Sequence, residues 1–446
     1  MKKNKKGIRS GLIILILLGI VHLATAQQKT ISLEKSKKAA LQYSNDIKNG
    51  KLRIDQAEYS KKQAISNYFP NVSAIGAAFY GIDDFIDPIP VVLPNGFNNF
   101  SLAAATASEP IYAGGKIRAS SELADIQVET SKIRAAQSID SVILLTEQKY
   151  WQLVELQERQ KVLEVSKAYL DELLKQQQDL LDAGLIARYQ LLQVKTNRSQ
   201  VLLQRSKLNN SRKVALLDFA LYVGIPYDTT MVAIDTFTTI KPPQLKYGRP
   251  KLDLTSNSNY QLLEQSIEAS KLQTQLARAD LLPQFSVGIS ASQIGTFDDT
   301  FDSQFQPLAF GTLNIPISAW WGSERQKVRQ KEIDEEIAIN NLKDGQDQLK
   351  VSIMKSWYDL LDAYKQIQYA QENLEYAQEN LEVSRDNYNS GLNNLSDLLD
   401  AQRTQQQAQT ELVNAKANYE EKEILYLQRT DQLETPEIEE VNFDED

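Results

Sequence analysis

Apolar residues recur every seven positions along the second half of the chain: Ile353, Leu360, Ile367, Leu374, Leu381 and Tyr388. Three positions after each of the first five stands a small residue, Ser356, Ala363, Ala370, Ala377 and Ser384. A seven-residue period predicts α-helices wound left-handedly about one another, and a stripe of small side chains lets neighbouring helices come close. The placement of Pro and Gly says how long these helices run. No Pro occurs between Pro110 and Pro226 or between Pro316 and Pro436. Gly184 is the only Gly between Lys116 and Val223, and after Gly322 only Gly345 and Gly391 remain. Each tract therefore predicts a long helix, about 116–183 and 323–390, a tight Gly turn, and a returning helix, about 186–222 and 393–430. Each long arm would measure about 100 Å at 1.5 Å per residue.

Ahead of each long helix the period shortens to two. Phe285, Val287, Ile289 and Ala291 alternate with Ser286, Gly288, Ser290 and Ser292, and Leu313, Ile315 and Ile317 alternate with Thr312 and Asn314. This predicts strands within about 283–318. In the first half small residues alternate more loosely over 72–80 and 100–108, within a strand region of about 70–112. Residues 63–115 and 279–324 contain neither Lys nor Arg. The pieces 81–98 and 296–304, with their Gly, Pro, Asn and Asp, read as loops. Strands of about ten residues can cross a bilayer. Four strands cannot close a barrel alone, so these are either soluble hairpins or shares of a barrel built by several chains.

The two halves read as copies. Ala183-Gly184-Leu185-Ile186-Ala187 and Leu191-Leu192-Gln193-Val194 meet Ser390-Gly391-Leu392-Asn393-Asn394 and Leu398-Leu399-Asp400-Ala401 at an offset of 207. At the same offset Tyr150-Trp151 meets Trp357-Tyr358. Tyr68-Phe69-Pro70 meets Leu281-Leu282-Pro283 at an offset of 213. A repeat of this size governs the fold. It divides the chain into a leader at 1–26, a first repeat at 27–222, a linker at 223–258, a second repeat at 259–430 and an acidic tail at 431–446.

The N-terminus sets the compartment. Lys2, Lys3, Lys5, Lys6 and Arg9 precede an apolar run from Leu12 to Val21, and Ala24-Thr25-Ala26 supplies a cleavage site. The run is shorter than the roughly 20 residues of a transmembrane helix, so it reads as a signal peptide. No Cys follows the cleavage site, which excludes a lipid anchor there. With 49 Lys+Arg against 58 Asp+Glu the formal charge is −9, and cleavage takes it to −14, which argues against a nucleic-acid partner. The one His, His22, lies in the leader, and there is no Cys. The mature chain thus lacks Cys nucleophiles, disulfides, Cys/His metal sites and His acid–base groups. It also has no phosphate-binding Gly loop. The expectation is a protein that is not an enzyme and carries no cofactor and no metal. If it resides in a membrane it must do so as β-strands in a closed barrel.

Asp397 and Asp400 stand three apart on one helix face just past Gly391. In an acid-rich helix such a pair is commonly a solvated face. In a symmetric trimer it would form two stacked carboxylate rings that attract cations. Trp320-Trp321-Gly322, like Tyr68-Phe69 and Leu281-Leu282, stands where strand gives way to helix. These side chains read either as an interfacial anchor or as a hydrophobic plug.

Three stretches carry a resemblance: Tyr388-x-x-Gly391 followed by Asp397-Leu398-Leu399-Asp400-Ala401; Gly184-Leu185-Ile186-Ala187; and Pro110-Ile111-Tyr112-Ala113-Gly114-Gly115-Lys116. With the repeated order of elements, they make the chain resemble the TolC family of outer membrane efflux proteins over essentially all of its mature length. The resemblance implies a mainly α protein with a membrane β-barrel part. It would be a homotrimer whose strands form one barrel among outer-membrane lipid. Its coiled-coil hairpins would continue as a tunnel through the periplasm, with 223–258 and the C-terminal stretch as an equatorial collar. The implied function is a passive exit duct for efflux or type I secretion, opened by an inner-membrane transporter and a periplasmic adaptor. The adaptor would dock on the hairpin tips at Gly184, Leu185, Ile186, Gly391 and Leu392. Tyr388, Asp397 and Asp400 match the family's periplasmic gate.

Two departures stand out. Asn393 replaces the family archetype's Arg between the Gly and the Asp pair, and Gln190 replaces its partner Asp. The expectation is a latch of neutral hydrogen bonds or a channel less tightly shut. A periplasmic coiled-coil adaptor would show one helical hairpin flanked by split β-domains, and a surface hydrolase would need an acid/base pair in a pocket. Two hairpins and two cation-free windows favour neither. Nothing in the sequence names a cargo.

Overall fold

A computed structural model describes residues 29–436, apart from 86, 88, 92–97, 239 and 298–302. The leader at 1–26 and the tail beyond 436 lie outside the described residues, as do parts of the loops 81–98 and 296–304. In chain order the elements are β1 (Thr30–Ile31), α1 (Leu33–Tyr43), α2 (Asn45–Ser66), β2 (Asn71–Tyr80), β3 (Asn99–Tyr112), α3 (Lys116–Asp182) and α4 (Arg188–Val223). There follow β4 (Val232–Ala233), α5 (Pro243–Tyr247), α6 (Ser258–Ala279), β5 (Gln284–Gly295), β6 (Gln304–Asn314), a 3-10 turn at Ile317–Trp320, α7 (Ser323–Asn389) and α8 (Leu395–Arg429). The molecule is mostly helical with one substantial sheet. The order helix, two strands, long helix, shorter helix occurs twice. Two compact units result, each drawn from both halves of the sequence. One comprises 46–138 and 253–351, and the other comprises the described parts of 1–45, 139–252 and 352–442.

The first unit holds the sheet, in the order β2-β3-β5-β6, with every neighbouring pair antiparallel. Its strands of 10, 14, 12 and 11 residues are long enough to cross a bilayer when tilted. β2 and β6 each have one unpaired edge among the described residues. In β3 the register shifts between Pro110 and Tyr112. A proline in an inner strand has no N–H to donate, and a bulge is where the ladder tolerates it. The alternating pattern in the sequence extends to Ile317, but β6 ends at Asn314. Pro316 cannot continue the ladder, and the chain winds into the 3-10 turn, which leaves Ile315 and Ile317 exposed.

Register sorts the side chains onto two faces. Val72, Ala107, Ile289 and Ala309 form one cross-strand row, and Ser73, Thr106, Ser290 and Leu308 form the adjacent row on the opposite face. The first row is apolar and open, with Val72 74% and Ile289 64% exposed. On the opposite face, Thr106, Ser290 and Ser292 are half-buried, and the hydroxyls of Thr106 and Ser290 lie 3.3 Å apart. At the end of the sheet nearest the long helices stand Tyr68, Phe69, Tyr112, Trp320 and Trp321, all exposed. Trp320 Nε1 donates to the Leu281 carbonyl at 2.8 Å while its ring stays open. A plug would bury these rings. In the single chain these rings are open, which is the arrangement an aromatic band at a membrane–water interface requires. Among the described residues no helix is long and apolar enough to cross a membrane, which leaves a β-barrel as the membrane-spanning form open.

The second unit holds the tip-side parts of the helical hairpins, 139–182 of α3 and 352–389 of α7, with α4 and α8. Leu360, Ala363 and Ile367 of α7 are buried with Ala415, Tyr419 and Tyr426 of α8, so over this stretch the seven-residue stripe and the small-residue stripe share one core. Nearby, β1 pairs parallel with β4. The buried Tyr150 hydroxyl donates to Asp235 Oδ2 at 2.5 Å, and that carboxylate also accepts the Leu33 N–H at 3.0 Å. The Gln157 amide extends the small sheet by exchanging hydrogen bonds with Ala233 at 3.0 and 3.1 Å.

A charged cluster lies in the same unit. Glu423 accepts from Lys246 Nζ at 3.0 Å and from the Tyr419 hydroxyl at 2.9 Å. Lys37 pairs with Glu147, whose pKa burial pushes up against the pull of Lys37. Glu420 has no such partner among the described residues; burial, reinforced by the charge of Glu423, pushes its pKa up to about 7. The folded state therefore binds a proton that the unfolded chain, with an ordinary carboxyl near 4.5, releases earlier. Stability falls as pH rises from about 4.5 to about 7 and stays lowered above that, by roughly 3 kcal/mol per chain from 1.4 kcal/mol per pKa unit. Glu420→Gln is expected to raise the melting temperature at pH 8 and to leave it unchanged near pH 4. Equal gains at both pH values would contradict the assignment.

Candidate functional site

The hairpin tips are built by matching helix ends. Gly184 follows α3 with φ 71°, and Gly391 follows α7 with φ 74°. The Leu185 N–H donates to the Leu180 carbonyl at 2.9 Å and that of Gly184 to Leu181 at 2.9 Å. At the second tip Leu392 donates to Asn387 at 2.8 Å and Gly391 to Tyr388 at 3.0 Å. Both are Schellman turns, which need a left-handed residue at the Gly position. A side chain at either Gly would meet no atom within 4 Å, so it is the backbone conformation that demands glycine there. The residue after each Gly projects outward: Leu185 is 72% exposed and Leu392 76%. Ile186 is half-buried.

The starts of the returning helices differ. The N-cap of α4 is Ala187, which provides no side-chain cap. α8 begins with a capping box: Asn394 Oδ1 accepts the Asp397 N–H at 3.1 Å, and Asp397 Oδ2 accepts the Asn394 N–H at 3.3 Å. Asp397 thus satisfies an orphan amide at a helix N-terminus, a role usually contributing about 1 kcal/mol. Asp400 is exposed and forms an ion pair with Arg403 one turn on. The sequence reading left out Arg403, which offsets part of the charge a carboxylate ring would carry. Asn393 and Gln190 make no side-chain hydrogen bond among the described residues. Their backbone N–H groups donate locally, to Asn387 and Ala187.

Behind the tips, Leu163, Leu170 and Leu173 of α3 share a core with Val194 and Val201 of α4 and with Leu395, Leu398 and Leu399 of α8. Tyr388 and Leu381 of α7 pack against it. Two polar features interrupt this core. In the first, Gln402 Nε2 donates to Ser166 Oγ at 2.6 Å, Ser166 Oγ donates to Gln406 Oε1 at 2.6 Å, and Gln406 Nε2 donates to Gln204 Oε1 at 3.1 Å. No fully buried side-chain atom of this network lacks a partner, and it fixes the register of three helices, as a polar residue in a coiled-coil seam does. The second is Gln177. Its side chain is fully buried, and Nε2 donates to the Tyr388 hydroxyl at 2.9 Å. Its Oε1 has no partner, a deficit worth about 1–3 kcal/mol. Nearer the solvent, Gln193 Nε2 donates to Ser396 Oγ at 3.1 Å. The links between the first and second tips are thus neutral hydrogen bonds, made by residues that the sequence reading did not single out.

This arrangement of sheet and long hairpins is the one seen in outer-membrane channels. The chain superimposes on VceC of Vibrio cholerae with a TM-score of 0.74 at 16% identity, over 89% of this chain and 95% of that one. For CusC the TM-score is 0.76 at 15% identity, over 89% and 91%, and for CmeC of Campylobacter jejuni it is 0.73 at 17%, over 91% and 87%. The pyoverdine export outer membrane protein OpmQ of Pseudomonas putida is 23% identical over 198 residues, 43% of this chain. That match spans only 40% of the relative's length. The family model described as outer membrane efflux protein matches residues 37–224 and 251–425. The chain belongs to the outer membrane efflux protein family. That family is one of outer-membrane channels reaching into the periplasm and not of enzymes, and the alternative of a pore-less adaptor is set aside.

Proposed function

We propose that the protein is a passive exit duct: a homotrimer that conducts solutes across the outer membrane, with energy supplied by an inner-membrane transporter through a periplasmic adaptor. The observation that carries this reading is the four-stranded antiparallel sheet with two unpaired edges, an exposed apolar face and an aromatic band at one end. With four strands of alternating direction, β6 of one copy and β2 of the next run antiparallel, so identical copies can join edge to edge without a break in the pattern. Three copies give twelve strands, enough to enclose a lumen, whereas one copy cannot close. The apolar face then meets lipid and the Ser- and Thr-bearing face lines the pore. The two halves of the chain are copies of one unit, and the hairpins of three chains form the tunnel below the barrel. The segment at 223–258 and the C-terminal stretch form its collar.

At the tips, Leu185 and Leu392 offer exposed apolar contacts for the adaptor, with Gly184, Gly391 and Ile186 shaping the turns. Tyr388, Asp397, Asp400, Gln190 and Asn393 surround the periplasmic opening. Purified mature protein in a planar bilayer is expected to give cation-selective channels, and Asp397→Ala/Asp400→Ala to reduce that selectivity. Arg403 would be left without its acid partner in the double variant, which strengthens the shift. Failure of the wild type to insert would overturn the exit-duct reading. Unchanged selectivity in an inserted variant would move the selective step away from the tips.

A further inference from the structure

We propose that Glu109 and the shallow groove beside it form a site for a phospholipid whose headgroup carries a primary ammonium; this rests on the exit-duct reading above, in which the apolar face of the sheet meets lipid. Glu109 is the only charged residue in the four strands β2, β3, β5 and β6. It pairs with Val287, which pairs with Gly311, and it stands two residues along β3 from Ala107. Its side chain therefore belongs to the same face as Val72, Ala107 and Ile289. The register shift of β3 comes after Glu109, between Pro110 and Tyr112, and does not turn it to the other side. A carboxylate on the lipid face of a barrel is costly unless something answers its charge. Glu109 is half-buried, yet it makes no ion pair and no side-chain hydrogen bond among the described residues.

The sheet has nothing to answer that charge with. Residues 63–115 and 279–324 hold all four strands and contain neither Lys nor Arg, so no cation of the sheet, in this copy or in a neighbouring one, can pair with Glu109. The next cations along the chain, Lys116 and Arg118, are engaged by Asp280 and Glu122. The partner must come from the membrane. Beside Glu109, Ala107, Val287, Ile289, Ala309 and Gly311 line a groove of about 610 Å³. Small residues at 107 and 311 leave it open, and its apolar walls suit an acyl chain. The depth suits a headgroup. Tyr112, three residues on, belongs to the exposed aromatic band at the helical end of the sheet. Three residues of a tilted strand span less than about 10 Å, which sets the carboxylate where headgroup gives way to acyl chain. A primary ammonium there donates charge-assisted hydrogen bonds to Glu109 while one of its chains lies in the groove. An anionic headgroup is repelled, and a trimethylated ammonium has no N–H to donate.

The test uses the full-length mature trimer, inserted into nanodiscs of equal parts phosphatidylethanolamine, phosphatidylglycerol and phosphatidylcholine with the same acyl chains. After release into mild detergent, native mass spectrometry counts the lipids that stay on the trimer. The wild type is expected to retain phosphatidylethanolamine roughly fivefold over either other lipid, as one charge-assisted contact would give. Glu109→Gln, of the same size, is expected to lose that preference, and Glu109→Lys to turn it towards phosphatidylglycerol. A wild type that retains lipid without regard to headgroup would overturn the proposal and leave the exit-duct reading intact. So would a preference that survives Glu109→Gln. A wild type that does not insert into the nanodiscs would sink both.

Discussion

Arginine in place of Ile289 is expected to keep the protein out of the outer membrane altogether. Ile289 stands at the middle of β5, on the exposed apolar face, in the row with Val72, Ala107 and Ala309. A charged side chain on the lipid face of a barrel costs about 2–4 kcal/mol at the bilayer midplane. Three copies in one barrel bring the same penalty three times, roughly 6–12 kcal/mol by that scale, comparable with the whole stability of many proteins. Ser290→Arg, one residue on, places the same charge at a half-buried position on the opposite face. It is expected to insert and to change conductance instead. Membrane fractionation after a salt wash, with detection of heat-resistant trimers, reads both outcomes. Insertion of Ile289→Arg together with exclusion of Ser290→Arg would mean that the two faces have been assigned the wrong way round.

The second large effect is expected at the tips. Leu185→Glu combined with Leu392→Glu should abolish export in cells while the purified trimer still forms and still conducts in bilayers. Both side chains are mostly solvent-exposed and neither belongs to a buried core, so the folded state has little to lose from the change. An adaptor that covers these leucines would have to bury two carboxylates per chain without partners. Substitutions at Gly184 or Gly391 are poorer probes. Any other residue there is strained by the left-handed backbone, at about 1–2 kcal/mol, and that confuses docking with folding. Export that survives the double leucine change would place docking elsewhere.

Long helices and their turns were legible because the signals that make them are local. A Pro-free stretch with Gly only at its ends allows little but helix over Lys116–Asp182, and the αL position demanded by each turn writes Gly184 and Gly391 into the sequence. Strand limits were less legible. The period of two continues through Ile315 and Ile317, and only Pro316 marks where the ladder must stop. At the tips the local reading misplaced emphasis. Asp397 carries a capping box, visible as Asn394-x-x-Asp397, and Asp400 has Arg403 one turn away, visible as a charge pair at helical spacing. Gln177 gave no such sign. It sits in the run Gln176-Gln177-Gln178, which reads as a solvated helix face. Its burial is decided by α7, more than 200 residues further on. The same holds for Glu420, whose raised pKa depends on its burial and on charges from α3 and α5 as well as on its own helix.

The two unpaired edges of the sheet carry a consequence for biogenesis. A lone copy exposes, on β2 and β6, rows of amides and carbonyls with the same spacing that its proper neighbour needs, and it exposes an apolar face beside them. Any other copy, correctly placed or not, is a template for pairing. In the proposed trimer, folding of the sheet and association of three chains become one event, governed by mass action and not by the properties of a single chain. The hazard lies in the interval before the third copy arrives. A chain that is dilute waits with its edges bare, and one that is crowded can recruit a neighbour out of register. In the proposed assembly the long helical hairpins work against that error. The paired Ser166 network sets the register of its helices over many turns, and a hairpin of this length offers far more surface for sorting copies than four strands do.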